Sequence, residues 1–343
     1  MSARLESLWQ LTLVRIREFT REPEAVFWAI FFPVLLTAAL GIAFSGGSTE
    51  AIPVATSSPA LARAIRAEPA LTVEELDESA ARAALGAGRV VLFAVPGSDG
   101  GVVYRYDDTN PDGRSARVLV DRAVQRAAGR VDPTPVQDDL IREPGSRYVD
   151  FVVPGLVGLG IMSNSLWGVG FSIVDARRRK LTKRLTATPM SRAHYLLSYL
   201  LWRMMIFPVE VGVPIGFGVL AFGVPIRGRL IDLIVVCVAG SLAFSALALL
   251  IAARPRTLEA VSGLVNLFQV PMWILSGVFF SADRFPDAVQ PLIRTLPLTA
   301  LNDALRAHML QGAGLVQLAP QIATLAVWLV GCFVLAVRLF RWR

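Results

Sequence analysis

Lysine is almost missing from this chain: of 34 basic residues only Lys180 and Lys183 are lysines, and neither follows a glycine. A Walker A loop needs a Gly-Lys pair to bring an ammonium and backbone N–H groups to nucleotide phosphates, so the chain does not bind and hydrolyse ATP in that manner. Cysteine and histidine are equally scarce, with two of each. Cys237 and Cys332 lie in long apolar runs, which excludes a disulfide scaffold and a four-cysteine zinc site. HExxH and GxSxG motifs are absent, so zinc and serine hydrolysis lack their parts; no catalytic residue and no metal ligand are expected. Charge is thin as well, at 18% of residues, against about a quarter in soluble domains.

Apolar residues fill the gap, at 54% of 343 residues with a mean hydropathy of +0.54. A bilayer core of about 30 Å takes roughly 20 apolar residues as a helix. Six stretches qualify, near 25–45, 151–174, 195–222, 230–253, 260–280 and 318–337. Short cytoplasmic connections are enriched in Arg and Lys. Segments 1–24, 175–194, 254–259 and 338–343 hold sixteen basic residues, whereas 223–229 and 281–317 hold five. Both termini are therefore expected in the cytoplasm, and the pI of 10.1 is an orientation signal that needs no nucleic-acid partner. In this topology His194 and His308 fall on opposite sides and cannot share a site.

Ahead of the first stretch, Leu5, Leu8, Trp9, Leu13 and Ile16 recur at helical spacing with Arg15, Arg17 and Glu18 on another face. That pattern predicts an amphipathic helix in the membrane interface over 1–24. The first span, 25–45, is too long and too far behind its charged lead for a signal peptide, and reads as a retained anchor. Residues 46–149 are polar, with fifteen acids against twelve arginines, and predict a small extracytoplasmic α/β domain. Its strands are expected at 89–95 and 102–106, joined by a Pro-Gly-Ser-Asp-Gly-Gly turn, and its helices at 59–67, 74–87 and 113–129. The remainder, 150–343, holds five further spans.

Polar side chains inside spans are costly and mark either helix-to-helix bonds or a transport path. Ser163, Asn164 and Ser165 fall in the second span, and Arg203 and Glu210 in the third. Seven residues place the last two on one face about 10 Å apart, which predicts no direct pairing. Glu259, Ser262, Asn266 and Gln269, continued by Trp273, form a stripe along the fifth span that is expected to face the bundle interior.

Two segments carry further information. Ala176 to Arg192 reads ARRRKLTKRLTATPMSR, a basic amphipathic stretch that stops at Pro189 and predicts a short cytosolic helix within the loop 175–194. Residues 281–317 are too polar to span, and Pro286, Pro291 and Pro297 cut them into short helices that dip into or lie on the outer leaflet.

At these segments the sequence resembles the ABC-2 type permeases, the membrane subunits of ATP-binding-cassette exporters. The resemblance rests on Leu185, Ala187, Thr188 and Pro189, on Ser276 to Phe280 including Gly277, and on Pro297, Leu298, Thr299, Asp303, Leu305 and Arg306. The family's Glu-Arg-(x)-Gly-Thr start of the loop is replaced by Asp175 and an arginine run. The resemblance implies a six-helix membrane bundle, all-α apart from the outer domain, working as a homodimer with two P-loop ATPase subunits. ATP and Mg would bind those partners, and this chain would hold no cofactor of its own. Arg177, Arg178, Arg179, Lys180, Lys183, Arg184, Leu185, Thr188 and Pro189 would form the coupling helix. Ser163, Asn164, Arg203, Glu210, Glu259, Asn266 and Gln269 are the candidate path, and membrane lipid is the remaining partner. Export of a drug, lipid or lipid-linked product across a bacterial inner membrane is the implied function. The residues alone leave open an ion-coupled transporter, in which Glu210 and Glu259 titrate, and a receptor or assembly scaffold built on the outer domain.

Overall fold

A computed structural model describes residues 9, 12–14, 16–17, 20–45, 51–97, 101–131, 134, 145, 147–180 and 192–340. The chain divides into two units, Gly46–Leu140 and a second formed by Met1–Ser45 with Ile141–Arg343.

The smaller unit is a four-stranded sheet in the order β2-β1-β3-β4, with β1 (Ile52–Thr56) parallel to both β2 (Leu71–Glu75) and β3 (Leu92–Pro96), and β4 (Val102–Tyr106) antiparallel to β3. Helices α3 (Pro59–Arg66), α4 (Glu78–Gly86) and α5 (Pro111–Ala127) cover it. Each starts at a side chain that accepts a hydrogen bond from an otherwise orphaned N–H, namely Ser58, Asp77 and Asn110. Such caps contribute about 1 kcal/mol apiece. Val54, Leu92 and Ala94 face Ile65 of α3 and Val120 of α5, while Ala55 and Phe93 face Ala81 and Ala84 of α4. Both sheet faces are thus buried, as a parallel sheet requires. The helix expected over 74–87 begins only at Glu78, because Glu74 and Glu75 pair with β1 as an edge strand and Asp77 caps the first turn of α4.

The larger unit is helical. Its elements are α1 (Pro23–Val26), a π-helical turn (Phe27–Phe31), α2 (Phe32–Ser45), α6 (Tyr148–Arg178), α7 (Arg192–Phe222), α8 (Leu230–Ile251), α9 (Leu258–Leu275), α10 (Gln290–Thr295), α11 (Pro297–Gln311) and α12 (Ala319–Leu339). Residues 9, 12–14, 16–17 and 20 also have helical backbone. Among the described residues five helices, α6, α7, α8, α9 and α12, are long and apolar enough to cross a membrane, and the apolar helix Phe27–Ala43 is shorter. One core runs through the unit, built from Val157, Leu166, Tyr199, Phe244, Leu301 and their neighbours. Helix α11 lies inside this core, with Leu298, Leu301, Ala304 and Leu305 fully buried. Its surroundings are α6, α8 and α12. Residues 281–317 are divided into the short helices α10 and α11, as their prolines predict, and α11 packs within the helix unit.

Candidate functional site: the polar interior of the helix unit

Helix α6 is the hub, because three polar positions on a single turn of it reach three different elements. Asn164 Nδ2 donates to the Ala29 carbonyl in the π-helical turn at 3.0 Å. Ser165 lies beside Arg203 of α7, whose Nη2 is 3.5 Å from its hydroxyl. Trp167 Nε1 donates to Gln269 Oε1 of α9 at 2.8 Å. In an apolar surround each bond avoids the cost of a bare polar group, so the contacts select one packing of α6 against its neighbours.

The prediction that Arg203 and Glu210 do not pair is corrected. Arg203 Nη1 donates to Glu210 Oε1 at 2.8 Å and Nη2 to Oε2 at 2.5 Å, a bidentate ion pair within α7. The rise between them is about 10 Å, but the side chain of Glu210 leans back toward the N-terminus and the long arginine stem covers the rest. Arg203 is 1% and Glu210 6% exposed, so the pair puts two charges in the core at zero net charge.

A second cluster joins the two motif segments. Gly277, with φ +67°, ends α9 in a left-handed turn. Asn302 Nδ2 of α11 donates to the Ser276 carbonyl at 3.0 Å, and Arg306 donates to the carbonyls of Gly277 and Val278 and, from Nε, to that of Phe151 at 3.2 Å. The Arg306 guanidinium also stacks 3.7 Å from the Phe151 ring centre. Arg306 therefore closes the end of α9 onto the first turn of α6. Pro297 opens α11, Thr299 is buried in it, and Phe280 is partly exposed against Phe285. At the same end Arg147 forms a bidentate bond to Asp150 and reaches the Gly223 carbonyl at 3.3 Å. The hydrogen bond to Asp150 raises the Arg147 pKa above its ordinary value.

Close approach makes this possible. At Gly155 a Cβ would stand 2.6 Å from the Val278 carbonyl oxygen, and at Gly158 it would overlap the Asn302 amide oxygen. Sequence reasoning does not single out either glycine or Asn302; the available signal is their regular spacing opposite an amide-bearing helix.

At the opposite end, Arg177 turns inward instead of projecting with the rest of the basic run. It donates to the carbonyls of Ala252 and Ala253, both at 3.2 Å, and of Pro255. Its guanidinium lies 5.3 Å from the Phe340 ring centre, and Phe340 is 5.7 Å from Tyr195, whose hydroxyl bonds Tyr199 at 3.0 Å. Arg177 thereby binds the turn that follows α8 and the ends of α12 and α7 to α6. Arg178 is exposed together with Arg179 and Lys180. Lys183, Arg184, Leu185, Thr188 and Pro189 lie outside the described residues.

The stripe on α9 divides. Gln269 is buried and Ser262 half-buried, but Glu259 and Asn266 are exposed, because the rotation per residue carries 259 and 266 off the face that holds 262 and 269. Ser163 is half-buried. Asp303 is exposed on α11. His308 is buried, its Nδ1 2.8 Å from the Ala313 carbonyl and its Nε2 3.1 Å from that of Arg229.

Five long apolar helices around a hydrogen-bonded polar interior define a multi-pass membrane protein. The chain belongs to a transporter family: residues 24–338 match the family described as "ABC-2 family transporter protein". It is similar to "Nodulation protein J" of Rhizobium meliloti (strain 1021), with 28% identity over 59% of this chain and 77% of that protein. It is also similar to "ABC transporter G family member 20" of Dictyostelium discoideum, with 26% identity over 57% of this chain. The matched region spans 27% of the Dictyostelium protein's length. No solved structure matches the chain. The family places it among transporter proteins.

Proposed function

We propose that this chain is the permease of an ATP-driven exporter, assembled as two copies with two P-loop ATPase subunits that hold ATP and Mg. The cargo is a hydrophobic or amphipathic compound such as a drug, lipid or lipid-linked product. Six helices span a bacterial inner membrane in this reading, the first being α1 to α2, with both termini cytoplasmic and the α/β unit outside. The coupling segment is 177–190.

The observation that carries the proposal, beyond the family match, is the arrangement of α6. The basic segment continues directly from this helix, and α6 is hydrogen-bonded to the π-helical turn, α7, α9 and α11, with Arg177 adding the end of α8. Displacement at one end of α6 is thus passed to every neighbour. A partner must bind one arrangement more tightly than another for that displacement to do work. A second copy is supported by Asn266, whose amide is exposed on an otherwise apolar face with Leu267, Val270 and Ile274, an arrangement unfavourable toward lipid. The Arg203–Glu210 pair weighs against the ion-coupled alternative, since Glu210 is already engaged by an arginine.

The test is a mild-detergent pull-down of the tagged chain from its native membrane with mass-spectrometric identification, using as control a 178–190 deletion that leaves the buried Arg177 in place. A P-loop ATPase retained by the intact chain and lost with the deletion is the expected result. If the well-folded intact chain never retains an ATPase, even with trapping nucleotide, the exporter reading fails.

A further inference from the structure

A groove of about 220 Å³ opens between α8, α9 and α12 at the arginine-rich end of the helix unit. Its walls are apolar, formed by Leu250 of α8, Leu264 and Phe268 of α9, and Leu339 of α12, and Arg254 stands at it. Phe268 is partly exposed and Leu250, Leu264 and Leu339 are half-buried, so the groove is lateral and open. The arginine is held there by the packing around Arg177. That residue draws the carbonyls of Ala252, Ala253 and Pro255 inward, which fixes the turn that carries Arg254 and leaves Arg254 exposed. Arg256, two residues on, and Arg338, next to Leu339, are exposed too, and none of the three has a carboxylate partner among the described residues. Arg178 acts electrostatically on Glu259, the acid of the adjoining helix turn.

We propose that this groove is a binding site for a resident anionic phospholipid of the leaflet on that side. One acyl chain lies against Leu250, Leu264 and Phe268, and the phosphate is met by Arg254 with Arg256 and Arg338 around it. The pairing of an apolar slot with unmatched cations at its polar end is what an anionic headgroup on a hydrocarbon tail complements. A zwitterionic lipid offers the same tail but carries its own cation and gains less from the three arginines. The inference requires only that the chain is embedded in a membrane, and stands apart from the ATPase and cargo readings.

The experiment uses the full-length chain in nanodiscs of equal phosphatidylglycerol and phosphatidylcholine, followed by delipidation and native mass spectrometry of the lipid that stays bound. Wild type is expected to retain phosphatidylglycerol over phosphatidylcholine by about fivefold or more, the discrimination one surface arginine supplies. Arg254→Gln is expected to lower that ratio severalfold, by the share one arginine supplies, and Arg284→Gln, at the other end of the unit, to leave it unchanged. Leu250→Trp, which fills the slot, is expected to lose both lipids. Since Arg254 is exposed and outside the core, its variant keeps the test valid even where Leu250→Trp does not fold. Equal retention of the two lipids by wild type, an undiminished preference in Arg254→Gln, or no retained lipid because a second copy covers the groove would each overturn the proposal.

Discussion

Arg203 and Glu210 show how a membrane core carries charge: as a neutral unit closed on itself, with Ser165 at its edge. Removing one partner of a buried pair leaves the other uncompensated, a loss of about 3–5 kcal/mol, whereas replacing both with apolar residues of similar volume is close to neutral. Arg203→Met and Glu210→Leu are each expected to lower the thermal midpoint of the detergent-solubilised chain steeply. The double variant should recover most of the loss, and single variants with unchanged midpoints would refute the pairing. Hydropathy singles out both residues. The pairing escapes sequence reasoning because the rise between the two positions ignores how far an arginine stem and a backward-leaning glutamate reach. Arg177 is hidden for a related reason: within a run of basic residues nothing distinguishes the one that turns inward to three carbonyls.

Individual elements are legible in proportion to their periodicity. The long apolar helices stand where hydropathy puts them, and the β3–β4 hairpin follows from its apolar runs and glycine-rich turn. Strands β1 and β2 do not stand out. Pro53 lies in the central strand β1, where proline's missing N–H argues against a strand, and the acid-rich LTVEE of β2 is tolerable only as an edge. The seat of α11 rests on glycine. Gly158→Ala is expected to cost about 1–3 kcal/mol by pushing Asn302 away, and Asn302→Ala in the same chain should return part of it, as thermal unfolding of the two single variants and the double variant would show. In the α/β unit, Arg105 of β4 bonds Glu78 at the start of α4. That hydrogen bond, with the arginine's charge and Arg82 adding to it, holds the Glu78 carboxyl below its ordinary value of 4.5. Its contribution is present above pH 4.5 and lost as pH falls through the lower folded value. Hydrogen exchange at 92–96 and 102–106 in the full chain should lose protection over that acid range. Glu78→Gln should flatten the dependence.

At the scale of the whole molecule, the five long helices differ in how much of each is covered, with α6 largely enclosed and α9 and α12 largely bare. Hydrocarbon accepts the bare face of α12, but α9 carries Asn266 on its exposed side. If two copies meet there, Asn266→Cys is expected to form a disulfide-linked dimer rapidly in native membranes. Val330→Cys, on the bare side of α12, should stay monomeric. Equal crosslinking at both positions would argue against a seam at α9. Polarity alone does not separate the two sides of α9: it puts the whole stripe from Glu259 to Gln269 on one inward side, whereas in the packed helix Gln269 is buried and Glu259 and Asn266 are exposed.

The bond between Asn164 and the Ala29 carbonyl joins residues 135 positions apart, with the entire α/β unit encoded between them. At roughly 5–20 residues per second, a ribosome needs on the order of ten seconds to deliver the second partner after the first. The N-terminal apolar helix must therefore survive that interval with its π-helical turn unmet by α6, while a water-soluble sheet is made and folded downstream of it. The order of synthesis and the order of packing therefore differ: the α/β unit is complete in the chain before the first helix can meet α6.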